Sequence, residues 1–176
     1  GILPPSLREP LTVTILKPDK PLHLCDSYRP LSVINIDNKI LACILADSLQ
    51  LLLSTIVLPD QPGFIPGCST SHNLRTLFGT LHSLKPDLPA AALLLDATKA
   101  FDSLEWPYLF FLLRRIGLSP KFLWLVAFLY EQPVARVWVN GVVSEAFPVG
   151  RGTRQCCPLS PLLYAVVMEP LAARLR

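Results

Sequence analysis

The sequence predicts an α+β domain, and three observations carry that reading. The chain has 176 residues, 51% of them apolar, a length that suits one domain or one and a half and a composition that supports a real core. Its apolar periodicity switches between strand and helix spacing in the order hairpin, helices, strand, helices, hairpin, helix. That order lacks the strict alternation of a doubly wound parallel sheet. Finally, Asn140-Gly141 separates two β-branched runs, and Asn-Gly supplies the positive φ angles that a tight type I′ turn needs.

Leu11 to Leu16 is β-branched and apolar and reads as a strand, which Lys17-Pro18-Asp19-Lys20-Pro21 ends with turn residues. Pro30 to Ile36 reads as the second arm of a hairpin with a basic tip. Asp37 suits the N-cap of a helix on which Ile40, Leu41, Ile44, Leu45, Leu49, Leu52, Leu53 and Ile56 recur at helical spacing, until Pro59. Gln61 to Gly67 forms a loop. Ser69 or Thr70 caps a further helix with Leu74, Leu77, Phe78 and Leu81 on its apolar face. Ala91 to Leu95 is a continuous apolar run, as in a buried central strand. Ser103 is placed to cap a helix with Pro107 in its first turn and Gly117 at its stop. Ser119-Pro120 starts the next helix, which reaches Tyr130. Val134 to Val139 and Val142 to Phe147 are the arms of the Asn-Gly hairpin. The last helix buries Leu159, Leu162, Leu163, Val166, Val167 and Leu171, with Pro170 expected to bend or fray its end.

Composition narrows the function classes. A net charge of +3 permits a nucleic-acid partner without arguing for one. The 18 prolines are dispersed and act as punctuation. Five cysteines, an odd number without a Cys-x-x-Cys pair, speak against a disulfide framework or a zinc site, and reduced thiols are expected. The start at Gly1 carries no basic n-region or apolar h-region, so the expectation is an intracellular protein that is not secreted. The chain does not begin with Met and is read as a fragment. Ile40 to Leu58 is apolar enough to suggest a membrane span, but it holds Asp47, Ser48 and Gln50. These are costly at a bilayer centre, and an amphipathic helix of a folded domain is expected instead.

Candidate chemistry begins at Asp96, which ends the Ala91–Leu95 run. A carboxylate there caps the next turn, pairs with a cation or binds a metal; Mg²⁺ takes one or two carboxylates together with phosphates. Asp102 lies six residues on, roughly 20 Å away if extended, and reads as a helix-start residue. Phe101 reads as a core aromatic, and Arg29, Lys17 and Lys20 as solvated charges.

Four segments, taken in order, resemble the reverse transcriptases of retrotransposons that lack long terminal repeats, the long interspersed element class. Tyr28-Arg29-Pro30-Leu31-Ser32-Val33-Ile34-Asn35-Ile36-Asp37-Asn38-Lys39-Ile40-Leu41 is similar to their fingers motif. Asp60-Gln61-Pro62-Gly63-Phe64-Ile65-Pro66-Gly67 is similar to the family loop Asp-Gln-x-Gly-Phe-x-x-Gly. Leu95-Asp96-Ala97-Thr98-Lys99-Ala100-Phe101-Asp102 resembles motif A, and Gly152 to Pro161 resembles motif B. The resemblance implies a partial right-hand polymerase fold without a thumb: a fingers region with the first palm helices over 1–90, and a partial palm with an antiparallel sheet over 91–176. It implies transfer of a dNTP onto a primer that copies an RNA template, with two Mg²⁺ ions clamping the attacking and leaving oxygens. Asp96 would be the catalytic metal ligand, with the backbone of Ala97 beside it. Arg29 would grip the triphosphate, with Lys17 or Lys20 adding a second cation, Phe101 would exclude a ribose 2′-OH, Gln155 would lie near the base pair and sugar, and Arg154 would touch a phosphate or stay solvated. Lys99 would be a surface or pairing residue.

Two departures temper this. The family places Gly after the motif B glutamine, and here Cys156 stands there. The family's next element, motif C with (Tyr/Phe)-x-Asp-Asp, has no counterpart, because no Asp follows Asp102. The expectation is therefore a reverse transcriptase domain fragment that does not polymerise as this isolated chain. The alternative is a non-catalytic remnant that binds nucleic acid or protein. No membrane partner is expected, and nothing in the residues fixes an oligomeric state.

Overall fold

The computed structural model describes residues 9–65, 67–84, 91 and 93–175. Its first strands, β1 (Leu11–Leu16) and β2 (Tyr28–Val33), pair antiparallel from Leu11 opposite Val33 to Leu16 opposite Tyr28. The turn chemistry between them is closed by Lys17 N–H donating to Ser27 O at 2.8 Å. The second strand starts before Pro30 and ends before Ile36, because Asn35 already has N-cap geometry and α1 (Ile36–Ile56) begins directly after it. Asp37, the expected cap, instead occupies the first turn, where a carboxylate suits the helix dipole.

The Asn-Gly turn forms as expected, with φ of 51° at Asn140 and 80° at Gly141. It joins β3 (Val134–Val139) to β4 (Val142–Val143). The return arm is then interrupted. Trp138 faces Val143, but Ala135 faces Phe147 on β5 (Phe147–Pro148), so the register has slipped by one residue. Ser144 fills this bulge: its N–H donates to Val137 O at 2.9 Å and its Oγ accepts from Val137 N–H at 3.0 Å.

The strands form one sheet in the order β2-β1-β3-β4, with β5 also on β3. Leu11 of β1 lies opposite Arg136 of β3 in parallel, so the sheet is mixed where an antiparallel one was expected. The connection from β2 to β3 runs through helices, and a helical crossover can return a strand in parallel.

The core is almost wholly helical. Leu49 and Leu53 of α1 meet Leu109 and Leu113 of α3 (Trp106–Arg115), Val126 of α4 (Pro120–Leu129) and Leu163 of α5 (Ser160–Leu175), all fully buried, with Leu159. α3 starts later than expected: Glu105 is its N-cap, while Ser103 Oγ bonds back to Lys99 O at 3.1 Å. Gly117, at φ 87°, follows its last turn. Ser119 caps α4 as expected, its hydroxyl accepting from Phe122 N–H at 3.2 Å. α5 runs past Pro170 to Leu175 and leaves Leu171 half exposed.

Two further expectations of burial fail. α2 (Thr70–Ser83) forms, but Leu74, Leu77, Phe78 and Leu81 all lie open to solvent. The run Ala91 to Leu95, of which Ala92 lies outside the described residues, is no strand; Leu93, Leu94 and Leu95 are 81%, 87% and 71% exposed. A strand needs a neighbour for its backbone groups, and no described strand lies alongside this segment. α1 is long and apolar enough to cross a membrane by length and composition, yet its Ala42, Leu45, Leu49 and Leu53 face the helical core.

Leu163 and Leu74 therefore separate core from surface. Leu163→Ala should destabilise the fold by about 2–5 kcal/mol, whereas Leu74→Ala should cost no more than about 0.5 kcal/mol; urea unfolding of both variants reads the difference.

Candidate functional site

Three segments far apart in sequence converge beside α5. β1 and β2 deliver Lys17 and Arg29, the turn before α3 delivers Lys99, Phe101 and Asp102, and the loop before α5 delivers Arg154, Gln155 and Cys156. Together they line a cleft of about 550 Å³. Four cationic side chains and one carboxylate give the cleft a positive balance, which suits an anionic ligand.

The two loops are laced backbone to backbone. Thr153 N–H donates to Phe101 O at 2.7 Å, and Gly152 N–H donates to Leu104 O at 2.7 Å. Trp106 Nε1 donates to Gly152 O at 2.8 Å. Gly152 has φ 89°, and a Cβ there would sit 3.0 Å from Asp102 Cα and from the carbonyl oxygens of Phe101 and Asp102. Only glycine fits such an approach at such an angle.

Within this frame each side chain is held. Gln155 Nε2 donates to Asp102 Oδ1 at 3.2 Å, which fixes the amide at the cleft wall. The Phe101 ring packs 5.1 Å from Tyr164 and 6.4 Å from Phe64, centroid to centroid, and still lines the cleft, so it serves the core and the site together. Lys17 Nζ donates to Asp26 O at 2.8 Å, and Lys99 Nζ reaches Asp26 Oδ1 at 3.1 Å. The Lys99–Asp26 pair is solvent-exposed, so it contributes little stability and leaves both ammonium groups available at the rim.

Arg154 is partly buried. Its guanidinium donates to Leu129 O at 3.2 Å, and its backbone O accepts from Ser160 Oγ at 2.8 Å. Burial draws its pKa below the usual arginine range, opposed by neighbouring Tyr130 and Cys157. Tyr130 is buried beside it, and burial pushes its phenol well above the usual tyrosine range.

Five of the sequence-selected residues are thus brought together: Arg29, Lys17, Phe101, Gln155 and Arg154. Asp96 and Ala97 are exposed and outside the cleft lining. Sequence reading missed the Asp102–Gln155 bond and the roles of Gly152 and Trp106, since a contact between positions 46 to 53 apart leaves no local signal. Cys156 carries one. It stands where the resemblance expects glycine, and it has φ 69°, the backbone region that glycine enters without steric cost.

A family model described as reverse transcriptase (RNA-dependent DNA polymerase) matches residues 15–176. The chain belongs to this family. It is 32% identical over 177 residues to the "Transposon TX1 uncharacterized 149 kDa protein" of Xenopus laevis, covering 100% of this chain and 14% of that protein. Identity is 35% over 173 residues to the "Retrovirus-related Pol polyprotein from type-2 retrotransposable element R2DM" of Drosophila melanogaster, covering 97% of this chain and 16% of that protein. It is 28% over 171 residues to the "RNA-directed DNA polymerase from mobile element jockey" of the same fly, covering 94% and 18%. The chain thus spans 14–18% of the length of these relatives.

Reverse transcriptases use a divalent metal and bind a nucleic-acid template and primer. Among the described residues no group of three or more His, Cys, Asp and Glu side chains is arranged to hold a metal ion. Asp102 is engaged by Gln155. The described side chains therefore do not by themselves make a complete metal centre.

Gly152→Ala should destabilise the domain by at least about 2 kcal/mol, from the left-handed angle plus the backbone clash. Cys156→Gly should stabilise it by about 0.5–1 kcal/mol, since the strain relieved exceeds the added freedom of the unfolded chain. Thermal or urea unfolding of the two variants checks both signs. The raised Tyr130 pKa also sets a pH dependence. The folded protein keeps this proton after the unfolded chain has released it, so the stability it contributes is full below pH about 10 and is lost as pH rises further. Tyr130→Phe should flatten that alkaline loss in a series of unfolding curves.

Proposed function

We propose that this chain supplies the nucleotide-binding part of an RNA-directed DNA polymerase, the cleft receiving the incoming dNTP. The observation that carries the reading is the convergence of Arg29, Phe101 and Gln155 on one cleft from three separate segments. Arg29 presents a planar, permanently charged fork that matches phosphate oxygens, with Lys17 and Lys99 as further cations at the rim. Phe101 is anchored by Tyr164 and Phe64, so its ring is a rigid wall against which a 2′-OH would clash. Gln155, held by Asp102, meets the sugar and base. Residues 1–90 act as the fingers region with the first palm helices, and 91–176 as a partial palm. An RNA template with a DNA primer is the substrate pair.

Asp96 is the metal-ligand candidate. These 176 residues contain no Asp-Asp pair, so the chain by itself binds nucleotide without transferring it. Template-dependent dNTP incorporation by the purified chain, lost in Asp96→Ala, would overturn this statement.

Equilibrium titration with a fluorescent dNTP analogue tests the cleft. Arg29→Ala should weaken binding by about tenfold or more, and added salt should weaken the parent chain's binding as ion contacts are screened. Phe101→Ala should narrow the preference for dNTP over the matching ribonucleotide. An unchanged preference would remove Phe101 from the role of sugar discriminator.

A further inference from the structure

Lys17, Arg29, Lys99 and Arg154 are the cations that line the cleft. Among the described residues Lys99 alone of these four has a carboxylate partner. The partner is Asp26, in the 3₁₀ turn Cys25–Ser27 that leads into β2. Lys99 Nζ donates to Asp26 Oδ1 at 3.1 Å across 73 positions of sequence, and Lys17 Nζ donates to Asp26 O at 2.8 Å. One residue thus gathers two ammonium groups that reach the cleft from different segments. Asp26 itself is outside the cleft lining.

Such a contact can act in two opposite ways. It can hold the lysines in place for an anionic ligand, or it can compete with the ligand for them. The two effects differ in size. The side chains of Lys99 and Asp26 are 64% and 85% exposed, and an exposed ion pair restrains a lysine only weakly. The Lys17 bond runs to the Asp26 backbone and does not depend on the carboxylate. The carboxylate's charge, in contrast, repels every phosphate that approaches. Repulsion, together with an ammonium already occupied, outweighs the small gain in order.

We infer that Asp26 is a built-in counter-charge of the cleft. Its carboxylate neutralises Lys99 while the cleft is empty and yields that ammonium to a ligand phosphate on binding. Asp26 thereby sets the affinity of the cleft for phosphorylated ligands without touching them. With Lys99 unpaired beside Lys17, Arg29 and Arg154, the cleft would draw polyanions of any kind, and the counter-charge lowers that indiscriminate attraction. This role rests on the reading of the cleft as a triphosphate site.

The test is calorimetric titration of the full 176-residue chain with inorganic triphosphate at low ionic strength. Asp26→Asn keeps the side-chain shape, removes the charge and should tighten binding by about two- to fivefold. Added salt should shrink that gain as the charges are screened. In a Lys99→Gln background the gain should also shrink, because the disputed ammonium is gone. Asp19→Asn removes the same charge from the same hairpin, outside the cleft lining, and should tighten binding less. Asp19, Asp26 and Lys99 are all exposed, so these substitutions leave the fold intact. If the parent chain binds triphosphate and Asp26→Asn binds it no more tightly, the inference falls and the cleft reading stands. An equal gain from Asp19→Asn overturns the inference as well, by reducing the effect to net charge. Failure of both the parent and Asp26→Asn to bind overturns the cleft reading and the inference together, whereas binding by Asp26→Asn alone supports both.

Discussion

The close approach of the loop at Gly152 to the backbone of Phe101 and Asp102 is the constraint on which the site depends. Two short hydrogen bonds, Gly152 to Leu104 and Thr153 to Phe101, join segments some fifty residues apart, and the Trp106 indole closes the same knot from the helix that follows. These bonds sit at a position where a Cβ would meet backbone at 3.0 Å. Backbone cannot yield as a flexible side chain would, so the geometry is all-or-none. From this knot Phe101 projects one way toward Tyr164, Gln155 another way toward Asp102, and α5 departs into the core. The cleft is the hollow left beside it.

The knot also explains the strain at Cys156. The chain must turn from the laced segment into α5 within a few residues, and the left-handed angle at Cys156 is part of that turn. A glycine would adopt it freely; a cysteine adopts it because the lacing before and the buried Leu159 and Ser160 after leave little choice. Local strain is held by tertiary packing, as is common around binding sites. The departure from the family pattern at this position is thus a departure in cost.

The core and the site are built from different materials. Stability comes from leucine-rich helices stacked around Leu49, Leu109 and Leu163, while the cleft is drawn from strand ends and loops that rest on that stack. Apolar surface is abundant elsewhere. The Leu93–Leu95 run and the α2 face lie open, and contiguous apolar surface of this sort favours association with other protein surfaces.

The sequence by itself determined the family and most of the element types, the Ala91–Leu95 run excepted. Helical spacing marked α1, α2 and α5, Asn140-Gly141 marked its hairpin, and Ser119 marked its cap, because each rests on interactions within a few residues. It also marked Arg29, Phe101 and Gln155 as belonging together, through the motif resemblance. Tertiary structure decided burial and pairing. It made the sheet mixed by bringing β3 beside β1 in parallel, left Leu93 to Leu95 without a strand partner, and shifted the hairpin's return arm by one residue. It tied Gln155 to Asp102. None of these is a local matter. Burial and strand pairing depend on which surfaces meet across long sequence separations, and a periodic pattern states only that an apolar face exists, not that a partner will cover it.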